Sequence, residues 1–211
     1  AVATAPGDGA VAMVRVSGPR AWAVAAAMFR PSSGKRLRAR QFTHGYVIDP
    51  ESGAVVDEAV ATWLPAPRTY TREPTLEVTC HGGRAATAAV LQAILSAGPR
   101  VAEPGEFTLR AFLNGRIDLA QAEAVRDAVS ASSADAVATA VAQVNGALSR
   151  AVREIREPLA DLAARIEGSL DFADDGVPDV DRDQAYATLE EVAGRLDALL
   201  ATAGQIGRAH V

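Results

Sequence analysis

Two hydrophobic patterns divide the chain. Up to about residue 116 the apolar positions fall in short runs cut by Gly and Pro; from Ile117 they recur every three or four residues. In the first part, Val11, Met13, Val14 and Val16 predict a strand over 10–17, and Ser17-Gly18-Pro19 opens a helix over about 20–29. Residues 31–40 read as a loop. Strands follow at about 42–48 and 54–64, joined by a hairpin-type connection at Pro50-Glu51-Ser52-Gly53. A further strand covers Thr75–Cys80, and His81-Gly82-Gly83 ends it before an alanine-rich helix at about 84–97. With a short strand around Arg100–Ala102, residues 1–116 make an α+β domain with a mixed sheet.

The run 102–125 joins the two patterns. Pro104-Gly105 is turn chemistry, Glu106 begins a helix that Asn114-Gly115 can end, and Asp118 can cap the next one through its carboxylate. Beyond it, ten apolar residues from Val137 to Leu170, with Leu148, Leu159 and Leu162 among them, keep a spacing close to the 3.6 of an α-helix. One continuous helix of that length would run roughly 50 Å, kinked at Pro158 where a backbone donor is missing. A further helix at about 182–203 lines up Tyr186, Leu189, Val192, Leu196 and Leu199. Residues 117–211 therefore read as an all-α, incomplete bundle. So few helices cannot cover each other's apolar stripes, and association or further chain is expected to cover the rest.

Composition narrows the class. The chain has 211 residues, 49% apolar and 22% charged, as in an ordinary globular protein. No run reaches the roughly 18 apolar residues of a membrane span, so a cytoplasmic protein without a membrane role is the expectation. The single cysteine, Cys80, excludes an intrachain disulfide, and its place in an apolar strand suits a small buried side chain better than a nucleophile. The net charge of −5 is uneven: residues 1–116 carry 13 Arg and Lys against 9 Asp and Glu, the remainder 8 against 17. The first part is the better partner for an anion. Arg30, Lys35, Arg36, Arg38 and Arg40 form a basic cluster that reads either as a solvated loop or as a nucleic-acid contact.

Several chemistries have no support. The G-x-x-x-x-G-K-[ST] run of a P-loop is absent and Lys35 is the only lysine, so this chain alone is not expected to hydrolyse GTP. Gly7-Asp8-Gly9 precedes a strand where a dinucleotide loop needs a helix. His44, His81 and His210 lie in no nucleophile context. By residue type alone, Arg15 and Arg116 read as surface arginines, Glu77 as a solvent-facing strand residue and His81-Gly82-Gly83 as a plain turn; the alternative is a ligand site.

Three runs tip that balance: Pro104-Gly105-Glu106-Phe107-Thr108-Leu109-Arg110-Ala111-Phe112-Leu113-Asn114-Gly115 with Asp118-Leu119-Ala120-Gln121-Ala122-Glu123-Ala124 after it, Gly9–Gly18, and Glu77-Val78-Thr79-Cys80-His81-Gly82-Gly83. Together they resemble the MnmE (TrmE) family of tRNA modification GTPases over nearly the whole chain. The resemblance implies a tetrahydrofolate-binding and dimerising domain at 1–116, and at 117–211 the first part of a helical domain. It implies that Arg15, Glu77 and Arg116 contact 5-formyltetrahydrofolate, with His81, Gly82 and Gly83 beside them. A carboxylate at Glu77 suits the pterin's paired N–H donors, arginines suit the glutamate tail, and glycines allow close backbone approach. The implied setting is a homodimer that, with the FAD-dependent partner MnmG (GidA), forms the carboxymethylaminomethyl group at C5 of wobble uridine 34 of tRNA from a folate one-carbon unit. GTP, Mg²⁺ and K⁺ would belong to a GTPase domain whose insertion point falls near Gly207–Val211, so the chain is expected to be a fragment. One run departs: the family's Y-T-G-E-D reads Tyr70-Thr71-Arg72-Glu73-Pro74, with arginine for a glycine suited to positive φ and a proline that lacks a donor. That departure favours a second reading, a dimerisation module without folate binding. A stand-alone folate-dependent aminomethyltransferase is a third.

Overall fold

A computed structural model describes residues 1–172 and 178–206, with side chains described up to 201. It divides into two compact units, Ala1–Ile117 and Asp118–Val211. The closing run 207–211 lies outside the described residues.

The first unit is built on a five-stranded sheet. Its strands are β1 (Val11–Ser17), β2 (Phe29–Pro31), β3 (Phe42–Ile48), β4 (Val55–Leu64) and β5 (Thr75–His81), in the spatial order β1-β5-β4-β3-β2. Helices α1 (Ala21–Met28), α2 (Arg84–Ser96) and α3 (Glu106–Leu113) complete it. The alternation along the strands sets the layers. Ala12, Val14 and Val16 of β1, Leu76, Val78 and Cys80 of β5, and Ala59 and Ala61 of β4 are buried with Val24 and Met28 of α1 and Val90 and Ile94 of α2. Each fully buried Val, Leu or Met contributes about 1.5–3 kcal/mol of transfer free energy. The intervening positions, among them Arg15, Glu77, His81 and Phe42, share the opposite face of the sheet.

Every strand pairing is antiparallel, whereas the expectation was a mixed sheet. A parallel pair needs a crossover that returns the chain to a neighbouring place. Here α1 carries the chain from one edge strand to the other, and β5 enters between β1 and β4 antiparallel to both. The expected strand at 100–102 does not form; those residues run irregularly from Pro99 into α3. Residues 1–3 line the free edge of β1, through the Val2–Val14 bridge and the Ala3 amide donating to Met13 O at 2.7 Å.

The second unit is helical: α4 (Leu119–Ser130), α5 (Ala134–Val144), α6 (Ala147–Asp171) and α7 (Arg182–Ile206). Asp118 opens α4 with a capping box, accepting from the Gln121 amide at 2.9 Å while the Gln121 side chain accepts from the Asp118 amide at 3.0 Å. The stripe expected to form one helix from Val137 to Leu170 is divided between α5 and α6. Asn145-Gly146 breaks it, Gly146 taking φ +78° in the left-handed region. α6 then continues through Pro158. No helix among the described residues is long and apolar enough to cross a membrane.

Candidate ligand site on the sheet face

Arg15 and Glu77 are direct cross-strand partners of β1 and β5. The Arg15 guanidinium donates to Glu77 Oε1 through Nε at 2.8 Å, and its Nη2 lies 2.6 Å from the same oxygen in an ion pair, with 29% and 22% of the two side chains exposed. Glu77 Oε2 makes no hydrogen bond among the described residues, so the arginine fixes the carboxylate and leaves one oxygen to accept from a ligand. The same guanidinium stands 5.9 Å from the centre of the Phe107 ring of α3. Charge, a free acceptor and an aromatic face thus meet at one place.

The loop from Leu64 to Thr75 is tied down beside this pair. Ser17 meets the Thr71 hydroxyl at 2.6 Å and donates to Glu73 Oε2 at 2.9 Å. Arg110 donates to Glu73 at 3.0 Å and to Glu106 at 2.7 Å, and the Arg100 fork holds both oxygens of Glu106 at 2.8 and 2.6 Å. The Arg100 hydrogen bonds, the Glu103 amide and Arg110 together pull the Glu106 carboxyl down to about 2. A cavity of about 190 Å³ opens here, lined by Arg15, Ser17, Arg20, Arg100, Glu106 and Arg110 among others. None of Glu73, Arg100, Glu106 and Arg110 stood out as a site residue in the sequence. The one available signal was Glu106–Arg110, a carboxylate four residues before an arginine on one helix face.

Arg116, in the turn after α3, packs against another part of the same loop. Its guanidinium stands 5.2 Å from the Tyr70 ring and donates to Thr69 O and Tyr70 O at 3.4 Å, while the Tyr70 hydroxyl meets that of Thr108 at 3.0 Å. Arg72 takes φ +58° and donates to Asn114 O at 3.0 Å, so arginine keeps the left-handed turn that glycine would adopt. Pro74 precedes β5 and removes no donor from its ladder; its carbonyl accepts from the Gly18 amide at 3.0 Å.

His81, Gly82 and Gly83 sit at the far end of β5, four residues or roughly 13 Å beyond Glu77. They are not brought into contact with the Arg15–Glu77 pair. His81 is held by Asp57, which accepts from its Nδ1 at 2.7 Å and its amide at 3.0 Å, and this hydrogen bond raises the imidazole pKa. A Cβ on Gly82 would stand 2.5 Å from Gly9 O, so the missing side chain admits the chain's own 7–9 loop. Gly83 caps α2 in extended conformation with open space around it. Cys80 is buried, with its thiol donating to Ala12 O at 3.6 Å; burial pushes its pKa up, away from nucleophilic use.

The fold and this face define an α+β domain with a cluster of paired charges and a small cavity, followed in the chain by a helical domain. Residues 1–116 match the family described as GTP-binding protein TrmE N-terminus, and residues 119–209 match the MnmE helical domain. Relatives include the tRNA modification GTPase MnmE of Alkaliphilus oremlandii (strain OhILAs), 44% identical over 96% of this chain and 45% of that protein. The proteins of the same name from Geobacillus kaustophilus (strain HTA426) and Synechococcus sp. (strain JA-3-3Ab) are 44% and 45% identical, over 97% and 100% of this chain. The chain belongs to the MnmE (TrmE) family of tRNA modification GTPases, as its N-terminal and helical domains. It spans about 45% of the length of the curated relatives it matches.

Proposed function

We propose that the first unit binds a reduced folate, 5-formyltetrahydrofolate or tetrahydrofolate, on the sheet face around Arg15 and Glu77, as part of a homodimeric cytoplasmic tRNA-modifying assembly. The observation that carries this is the Arg15–Glu77 cross-strand pair with Oε2 of Glu77 open. A pterin offers an amino group and a ring N–H to that carboxylate, and Phe107 beside Arg15 offers an apolar wall. The donor set suits the ligand. A bound folate would supply a one-carbon unit, and the chain's own residues would fix its ring: Glu77 accepts, Arg15 holds Glu77 in place, and Arg116 on the Tyr70 ring offers a cation for the glutamate tail. His81, Gly82 and Gly83 would meet only a different part of the ligand or a second copy. In the assembly, the FAD-dependent MnmG (GidA) would work with this protein on wobble uridine 34, while GTP, Mg²⁺ and K⁺ would act at a GTPase domain that these residues do not include.

Calorimetric titration with 5-formyltetrahydrofolate tests the reading. Binding is expected, and Glu77→Ala is expected to weaken it by roughly 30- to 1000-fold, the cost of a charge-assisted pair of about 2–4 kcal/mol. Wild-type affinity in a folded Glu77→Ala protein would sink the assignment. The dimerisation module without folate drew its support from Arg72-Glu73-Pro74; the left-handed φ of Arg72 and the place of Pro74 before β5 weaken that support.

A further inference from the structure

The basic cluster takes no part in the folate site. Arg30 on β2 and Lys35, Arg36 and Arg38 on the following loop are all exposed, and none has a carboxylate partner among the described residues. The loop that carries them is fixed in place. The Arg40 amide donates to Trp63 O at 2.8 Å, and its guanidinium donates to Pro65 O at 3.5 Å and to Arg68 O at 2.7 Å, which ties the end of the loop to the backbone after β4. The Ser32 amide donates to His44 O at 3.1 Å. The one carboxylate facing this edge from β4, Glu58, is taken by His44 at 2.6 Å.

A second observation adds an aromatic face. Phe42, two residues after Arg40, is 82% exposed on the face of β3 that the helices leave open. His44 and Tyr46 follow it at alternate positions, with Arg30 directly opposite Tyr46. An exposed phenylalanine at the end of a run of unpaired cations is out of place on a merely solvated loop. It suits a polyanion that also presents flat unpaired rings: a π-face stacks any base, while guanidinium groups neutralise phosphates.

We propose that the β2–β3 edge of the sheet binds a folded RNA, the exposed cations Arg30, Lys35, Arg36 and Arg38 taking its phosphate backbone and Phe42, exposed at the start of β3, an unpaired base. The inference rests on the tRNA setting proposed above and names the surface that meets it. Because the whole chain carries a net charge of −5, general electrostatic attraction does not account for such binding; it has to come from this edge.

The test measures binding of the chain to an unmodified tRNA transcript by fluorescence anisotropy over a salt series. Arg36→Glu/Arg38→Glu is expected to weaken binding about tenfold or more and to reduce the slope of log K against log salt by about 1.5–2. Phe42→Ala is expected to weaken binding several-fold for the transcript but not for a blunt RNA duplex of equal length. Unchanged affinity in the charge-reversed protein, or no binding by the wild type at about 50 mM salt, overturns the inference. So does a change of mass in light scattering with unaltered RNA affinity, which would assign the edge to contact between copies. The folate titration separates the two proposals. Folate binding without RNA binding removes only this inference; RNA binding that responds to these variants without folate binding removes only the folate reading.

Discussion

At the scale of single residues, Arg72 shows how the site tolerates an unusual side chain. Its φ of +58° costs an L-residue roughly 1–2 kcal/mol, and the hydrogen bond to Asn114 O offsets part of that. Asn114 in turn donates to Thr71 O at 2.6 Å, so the turn is held from both sides. Removing the guanidinium leaves the strain uncompensated, and removing Cβ as well relieves it. Arg72→Gly is therefore expected to be more stable than Arg72→Ala by about 1 kcal/mol, the reverse of the usual order of these residues. Urea denaturation of the two variants checks this; an alanine variant equal to or more stable than glycine would show that the turn relaxes. The sequence exposed the problem at Arg72, since the residue type conflicts with the turn. It could not show the solution, because Asn114 lies 42 positions away.

At the scale of elements, α3 is the piece that holds the site together. It supplies Phe107 to Arg15, Thr108 to Tyr70, Arg110 to Glu73, and in its first turn Glu106, which Arg100 and Arg110 share. The Glu106 pKa of about 2 lies below its value in an unfolded chain, so its contribution to stability is complete above about pH 4.5 and is lost as pH falls towards 2. Glu106→Gln is expected to lower stability at pH 7 and to flatten its decline between those limits. Thermal melts across that range would count against the role if both proteins lost stability in parallel. The boundaries of α3 were legible because Pro104-Gly105 and Asn114-Gly115 are strong punctuation. The division of the 137–170 stripe was not read, although Asn145-Gly146 is punctuation of the same kind, because an unbroken 3.6-residue period outweighed it. Two helices related by a short turn preserve that period as well as one helix does. Strand order and the loss of the strand at 100–102 depend on partners far along the chain, and no local pattern carries them. For the candidate site the same division holds. Arg15 and Glu77 could be named from the resemblance, but their register, and the Glu73–Arg110–Glu106–Arg100 network, follow from pairings 62 and 37 residues apart.

At the scale of the molecule, burial is as uneven as charge. Of the hydrophobic side chains buried among the described residues, the helical unit holds only Ala124, Ala140, Leu162 and Val192; all the others belong to the first unit. Along α5 and α6 the stripe read from the sequence leaves Val137, Val141, Leu148, Val152, Leu159, Ile166 and Leu170 exposed, and α7 adds Tyr186, Leu189, Leu196 and Leu200. Local opening costs least where few apolar contacts are lost, so the helical unit has the lower opening free energy. Amide hydrogen exchange is expected to be slowest in β1, β4 and β5 and at least about tenfold faster throughout α6 and α7, a difference of about 1.4 kcal/mol or more. Leu162→Ala removes one of the four buried side chains of the helical unit and should cost about 2–5 kcal/mol there, accelerating exchange in α6 and α7 while leaving the sheet amides unchanged. Equal protection in sheet and helices, or exchange in α6 that slows as protein concentration rises, would instead mean that the exposed stripe is covered in solution. In the second case association of copies covers the very residues, from Val137 to Leu170, whose periodicity first marked them as needing a partner.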